Sequence, residues 1–410
     1  MDQSNYETIV IGGGASGLAA GVSAAEAGDR VLILEALDAP GKKILASGNG
    51  RCNLMNNGEY RYYGNERFAL QVMEACRRER LTAFWKRYGL FLAEEEERVY
   101  PCTFQAQSVM TALKNAIRMT GAELRCGSPV NGIRKSDGVF IVTADGKEYR
   151  GNRVILSTGG AAQVRAGGFE TGYHLMTRMG HRMNPIRAAL APIITEKKAI
   201  SGLAGIRVRC RVTLKSGDTV IHRTEGELMF TEYGVSGICA MQMARWAETE
   251  GCELEIHFLH RYFERPEEAL PELERRQREF AGQTAECLTT GMVVPKVAYA
   301  ICKQAGLAMR GETVETLTGE QIRRVAEAAC SYRIPVTGTK GLENAQVTAG
   351  GIDADEFRPE TMESRLVQGL HATGEVLDVD GDCGGYNLMF AFATGILAGR
   401  NGRSDAGRAG

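Results

Sequence analysis

Gly12-Gly13-Gly14-Ala15-Ser16-Gly17 divides two stretches of opposite character. Before it, Thr8-Ile9-Val10-Ile11 is a short apolar run. After it, Leu18 to Ala27 is a run of small residues at helical spacing, closed by Gly28 and followed by Val31-Leu32-Ile33-Leu34-Glu35. A strand, a glycine turn, a helix and a second strand within about 30 residues predict a β-α-β unit, whose crossover implies a parallel sheet. In the pattern Gly12-x-Gly14-x-x-Gly17, the first glycine permits a tight turn, the second lets backbone approach a pyrophosphate, and the third lets the helix pack on the strand. Ala15 and Ser16 open that helix, whose positive end then faces the phosphates. Glu35, followed by Ala36, ends the second strand where an acid can accept hydrogen bonds from ribose hydroxyls, favouring an adenosine without a 2′-phosphate. The strand, the helix and the acid together predict dinucleotide binding rather than a purely structural glycine loop.

Glycine accounts for 50 of the 410 residues, against about 7% in ordinary proteins. Neither a Gly-X-Y period nor a Gly/Ser linker explains the excess, so many glycines sit where backbone turns sharply or approaches something closely. Three further clusters stand out. Gly41-Lys42-Lys43 through Ser47-Gly48-Asn49-Gly50-Arg51-Cys52-Asn53 forms a polar loop suited to a phosphate or a polar ring. Cys52 has no partner cysteine nearby, which argues against redox work. Thr158-Gly159-Gly160 follows the apolar strand around Val154-Ile155-Leu156. In the last third, Gly374-Glu375 leads through Asp382 to Gly385-Tyr386-Asn387-Leu388 and a helix from Leu388 to Ala398. Backbone N–H groups at 386–388 would be the unpaired donors of a new helix, suited to a carbonyl or a reduced anionic ring. The acids here lack the spacing of a calcium loop, and no metal is expected.

The rest of the chain bounds its class. At 44% hydrophobic, it can fill real cores, and its net charge of -1 argues against nucleic acid and anionic membrane as partners. The 11 cysteines form no CxxC pair, which suggests a reducing, cytoplasmic compartment. The start of the chain lacks the basic and apolar regions of a signal peptide, and no run reaches the length of a membrane span. Residues 65–120 show helical spacing, with Glu94-Glu95-Glu96-Glu97 as a solvated turn or helix end. Val139–Ala144 and Lys147–Arg150 read as a hairpin around Asp145-Gly146. Residues 205–214 alternate as in an antiparallel sheet, and 263–332 look helical, with Pro266, Pro271 and Pro295 at starts or breaks. The expected organisation is a discontinuous dinucleotide domain (1–186 and 346–410), an inserted barrel-like domain (187–262 and 333–345) and a helical subdomain (263–332).

Several runs together resemble one family. IGGGASGLAA, GKKILASGNGRCNLMN, STGG, GELMFTEYGVSG, VTAGGI, TMESRLVQGL and GEVLDVDGDCGGYNLMFAFATG are similar to those of the bacterial FAD-dependent oxidoreductases that include aminoacetone-oxidase-like proteins and a bile-acid Δ4,6-reductase. The resemblance spans nearly the whole chain. It implies an α/β, glutathione-reductase-like (Rossmann-type) FAD domain with an inserted β-barrel and a helical subdomain. It further implies that Gly12, Gly14, Gly17 and Glu35 hold the ADP half of FAD and that the 41–53 loop runs beside pyrophosphate and flavin. Val130 is expected to contact adenine through its backbone, while Gly374-Glu375 and Gly385-Tyr386-Asn387-Leu388 border the ribityl chain and the ring.

The family's usual FTHYGxSGP is here Phe230 to Ile238, with Glu232 in place of His and Ile238 in place of Pro, which puts the family's substrate in doubt. The implied activity is reduction of an activated C=C bond in a small molecule, with NADH or NADPH as a transient electron donor, because there is no second GxGxxG unit. Tyr386, Glu232 and Tyr233 are the candidate proton or hydrogen-bond donors. A flavin amine oxidase passing electrons to O₂, and a non-catalytic FAD-bound regulatory or RNA-associated protein, are the alternatives.

Overall fold

A computed structural model describes residues 5–163, 169–308 and 313–400. Residues 1–4, read above for targeting signals, and 401–410, assigned above to the dinucleotide domain, lie outside the described residues. The chain divides into two compact units, 1–187 with 347–410, and 188–346.

In the first unit, β1 (Asn5–Ile11) lies parallel to β2 (Val31–Leu34), which in turn carries β3 (Glu123–Arg125). Strands β4 (Val130–Ser136), β5 (Val139–Ala144) and β6 (Lys147–Leu156) form an antiparallel meander. The end of β6 turns back beside β1 in parallel, and the short strand Leu370–Ala372 joins it to complete a seven-stranded sheet. Every residue of β2 is buried, as expected for a parallel strand covered on both faces. The hairpin turn at Asp145-Gly146 has both residues at positive φ (49° and 68°), the geometry that matches strand twist.

Helix α1 (Ala15–Glu26) explains the small residues that follow the glycine turn. It is pressed between β2 and the closing helix, Tyr386–Arg400. A β-carbon at Gly21 would fall 2.4 Å from Ile33 Cδ1, and one at Gly395 would fall 2.3 Å from the Ser16 carbonyl oxygen. The other end of this packing is tied by Arg153, whose guanidinium lies within the core. It donates to Thr8 Oγ1 (2.6 Å), Asp29 Oδ2 (2.7 Å) and the carbonyls of Ala398 (2.8 Å) and Gly399 (2.7 Å). One side chain thus joins β6, β1 and the C-terminal end of the closing helix.

His371, on the short strand beside β6, is fully buried. One ring nitrogen faces the Thr361 carbonyl at 3.0 Å, and Nε2 has no hydrogen-bond partner among the described residues. Burial, with the nearby Arg153 charge adding to it, pushes its pKa down to about 4. The unfolded chain protonates this ring near pH 6.5, while the folded chain refuses the proton until about pH 4. Stability is therefore complete above about pH 6.5, falls as pH descends through this window, and levels off below it, by roughly 3 kcal/mol from this group. Denaturant midpoints measured across the window check this. His371→Leu flattens the profile if the ring is responsible, and an unchanged slope assigns the acid sensitivity elsewhere.

Residues 65–120 depart from the helical expectation in one place. Helices at Glu66–Ala75, Arg78–Arg87 and Ala106–Thr120 are interrupted by a hairpin of Leu92–Glu95 and Arg98–Pro101. Glu94 and Glu95 end its first strand, and Glu96 and Glu97 form its turn, with Glu96 at φ 58°. A charged run carries no periodicity of its own, so turn and helix end were indistinguishable.

The second unit is a closed six-stranded barrel. Its strands are β7 (Ile193–Thr195), β8 (Arg207–Ser216), β9 (Thr219–Phe230), β10 (Gly234–Ser236), β11 (Cys252–His257) and β12 (Tyr332–Thr339), in the order β7–β10–β9–β8–β11–β12. Cys210, Val212 and Leu214 of β8 point inward, between outward arginines and a lysine. Between β11 and β12 the chain forms α2 (Pro266–Glu279), α3 (Pro295–Gln304) and α4 (Gly319–Cys330). Pro266 and Pro295 open their helices, whereas Pro271 is carried inside α2 without ending it. Leu273, Ile301 and Val325 of these helices share one hydrophobic core with Val212 and Leu254 of the barrel.

Candidate cofactor site

The glycine-bearing segments of the first unit meet at the C-terminal ends of β1 and β6. The Gly12 N–H donates to the Leu34 carbonyl (2.8 Å), and the Gly41 N–H donates to the Gly13 carbonyl (2.9 Å), seating the 41–53 loop beside the 12–17 turn. A β-carbon at Gly12, whose φ is +108°, would lie 2.4 Å from the Ser157 carbonyl oxygen. Ser157 Oγ is 2.7 Å from Thr373 Oγ1, and Ser16 Oγ reaches the Thr373 carbonyl at 3.4 Å. Gly374 follows, its N–H held by Thr394 Oγ1 at 3.0 Å. Gly385 closes the ring of contacts: a β-carbon there would be 2.5 Å from the Met55 carbonyl oxygen and 2.6 Å from Asn53 Oδ1.

Glu35 is buried and has structural duties as well as an exposed neighbour in Ala36. Its carboxylate accepts the N–H of Gly13 (2.6 Å) and of Leu37 (2.8 Å), so the acid fixes the glycine turn itself. The Ser128 N–H donates to the Glu35 carbonyl at 2.8 Å, which draws the segment leading to the buried Val130 alongside.

Three observations fit a dinucleotide at this place. Helix α1 starts at Gly14 with no side-chain cap, leaving its first N–H donors to another acceptor. Gly14 has an ordinary φ of -82°, and a β-carbon there meets nothing within 4 Å, so nothing in the chain itself demands glycine at that position. Asn53 Oδ1 and Thr158 Oγ1 are buried polar atoms with no hydrogen-bond partner among the described residues. The 47–53 backbone is tightly turned: Gly48 and Asn49 are left-handed (φ 56° and 54°), as are Gly50 and Cys52, and the Arg51 and Cys52 N–H groups donate to the carbonyls of Gly48 and Ser47.

The charged side chains of the loop are individually tethered. Lys42 pairs with Asp38 at 2.5 Å. Lys43 reaches Glu375 at 3.4 Å, and Glu375 accepts the Thr348 N–H at 2.8 Å beside Gly160. Arg51 bonds Glu95 (2.7 Å) and lies 4.5 Å from the ring centroids of Tyr100 and Phe104. Ser47 Oγ caps the Ile44 carbonyl at 2.7 Å. Gly159 borders open space at φ +74°.

Cys52 is fully buried, and burial pushes its thiol up to about 11. It stays protonated at neutral pH and is no redox nucleophile. In a native-state alkylation read by peptide mass mapping, the exposed Cys102 is modified first and Cys52 only on unfolding. Early labelling of Cys52 would contradict the packing.

At the start of the closing helix, Asn387 exchanges bonds with Gly381 (2.8 Å in each direction), and Leu388 is half-buried. Asp382 accepts from Tyr63 at 2.9 Å. Tyr386 is buried, with its hydroxyl 2.8 Å from the Glu59 carbonyl and 3.1 Å from Asn56 Oδ1, and burial raises its pKa. Glu232 and Tyr233 belong to the barrel unit, on the turn between β9 and β10, and are not among the segments gathered in the first unit. Glu232 is exposed, and the Tyr233 ring lies 4.8 Å from the Lys340 ammonium. The reading from sequence missed Asn56, Thr348 and Thr373. Each is a lone polar residue at a strand or turn end, marked only by its closeness to a glycine cluster.

The family described as HI0933-like protein Rossmann domain matches residues 6–401. The chain belongs to this family. As an HI0933-like protein it is an FAD-dependent oxidoreductase. It is 36% identical, over 95% of its length and 97% of the relative's, to the 3-dehydro-bile acid delta(4,6)-reductase of Clostridium scindens. It is 28% identical to the ribosomal RNA dihydrouridine synthase of Escherichia coli, over 95% of this chain and 96% of the relative. The protein of the same name from Haemophilus influenzae is 25% identical over the same shares. These two relatives overturn the exclusion of nucleic acid drawn from net charge. A net charge of -1 averages the whole surface, whereas RNA is met by local groups, and single-stranded bases are recognised largely by stacking and edge contacts. Among the described residues no helix is long and apolar enough to cross a membrane.

Proposed function

We propose that this HI0933-like protein is an NAD(P)H-driven reductase of a C=C bond conjugated to a carbonyl, acting on a small apolar enone. The observation that carries the reading is the 36% identity, across nearly the full length of both chains, to a protein named as a bile-acid delta(4,6)-reductase. The two names among the relatives share a chemistry: a diene beside a 3-oxo group, and the ring double bond of uracil beside its carbonyl. FAD, when bound, supplies the hydride. The chain's part is to bind it through the 12–17 and 41–53 loops, orient it between Gly160 and Gly385, and present the first-turn N–H groups of the closing helix. Such preorganised donors stabilise negative charge as it develops, without reorganising. Tyr386 serves in this account as a strut rather than a proton source, because its hydroxyl is engaged with Glu59 and Asn56 in the interior. Glu232 and Tyr233 remain the proposed proton or hydrogen-bond donors.

A second reading, reduction of a uracil ring in ribosomal RNA, is favoured by the two synthase-named relatives. An anaerobic experiment decides between them. The flavin absorbance is bleached with NADPH or NADH, and then a steroid-like enone or uridine-containing ribosomal RNA is added. Rapid recolouring by the enone alone supports the proposal, and recolouring by the RNA alone assigns the second reading. Bleaching by a primary amine, with peroxide formed in air, would sink both in favour of an amine oxidase.

A further inference from the structure

Asn56 sits where two of the gathered segments touch, and both ends of its buried amide are in use. Nδ2 donates to the Gly384 carbonyl at 2.9 Å. Oδ1 accepts the Gly58 N–H at 2.8 Å and lies 3.1 Å from the Tyr386 hydroxyl. Arg78 Nε donates to the backbone carbonyl of Asn56 at 2.8 Å, so the residue is anchored from behind. The segment it grips is the entry to the closing helix, whose first intrahelical bond runs from the Met389 N–H to the Gly385 carbonyl (2.9 Å). The N–H groups that precede Met389 in the first turn, at 386–388, have no acceptor within their own helix.

We propose that Asn56 is a positioning residue for the oxidoreductase: through Gly384 and Tyr386 it fixes where the first-turn donors of the closing helix point, and so sets how readily the flavin is reduced. The proposal rests on the reading that these donors face the flavin ring. A reduced, anionic ring gains from fixed donors and helix-end charge, whereas the neutral oxidised ring gains less. Loosening the turn therefore penalises the reduced state selectively. Asparagine suits the place because it donates to one segment and accepts from the other; aspartate would set a carboxylate against the Gly384 carbonyl oxygen.

The test uses the holoenzyme and reads the midpoint potential of its flavin against reference dyes, together with the melting temperature. Asn56→Asp is expected to lower the ratio of reduced to oxidised flavin at least tenfold at a fixed potential, about 30 mV for a two-electron couple. Tyr386→Phe keeps the ring and removes only the hydroxyl, and is expected to shift the potential in the same direction by a smaller amount. It also supplies the answer if Asn56→Asp fails to fold. Tyr62→Phe, which loses only a 3.3 Å bond to the Tyr386 carbonyl, is expected to keep the parental potential. Parental potentials in both Asn56→Asp and Tyr386→Phe, with melting temperature alone reduced, would overturn the proposal and leave Asn56 a plain strut. A parent protein that takes up no FAD would overturn the cofactor site itself, a failure that is visible before any variant is made.

Discussion

Gly14→Ala is expected to fold and melt as the parent does without cofactor, yet to bind FAD about ten- to a hundredfold more weakly. The added methyl has no neighbour within 4 Å in the protein, and the backbone conformation there suits any residue. Its only cost arises when something occupies the space before α1. Overfilling a close contact costs about 1–3 kcal/mol, which is the stated loss of affinity. Gly17→Ala is the contrast: its methyl would lie 1.9 Å from the Gly12 carbonyl oxygen, so the turn itself must shift and stability and flavin are lost together. Fluorescence titration of FAD into each apoprotein, with melting curves alongside, separates the two. Unchanged affinity in Gly14→Ala would mean that the pyrophosphate lies elsewhere.

Arg153→Met carries the largest expected effect on stability, a loss of about 3–5 kcal/mol, as for other buried ion pairs stripped of one partner. Asp29, whose side chain is only 7% exposed, would keep a carboxylate with the guanidinium gone, and the Ala398 and Gly399 carbonyls would lose their donor. Methionine fills much of the volume, so the loss reports charge and hydrogen bonding rather than a cavity. Asp29→Asn added to Arg153→Met should cost less than the sum of the single changes, since the two groups act on each other. Denaturant unfolding checks both statements. A loss within about 0.5 kcal/mol, the range of ordinary surface changes, would show that the interior tolerates the missing tie.

The parts of this molecule that were legible in its sequence are those where one physical demand dictates residue type over several positions. The 12–17 turn reads clearly because tight turning, close helix packing and room for a ligand each require a missing side chain at a set spacing. The small residues of α1 read as a buried helix for the same reason, its contact with the closing helix. Asn56, Thr348 and Thr373 were invisible because a single buried hydrogen bond leaves no period. The glutamate run at 94–97 was ambiguous because solvent accepts it in any conformation. Tyr386 drew notice by its place beside a glycine pair, but that its hydroxyl holds the 56–59 segment left no mark in the sequence. The net charge misled about RNA because a sum over the surface carries no information about where charges lie.

The central claim is that segments far apart in sequence converge to hold one FAD. The flavin content of the purified and reconstituted protein, measured as bound flavin per chain after desalting, tests it most directly. The account predicts one tightly held FAD per chain, with no nicotinamide dinucleotide retained. A colourless protein, or one that retains NAD(P) in place of FAD, would contradict it.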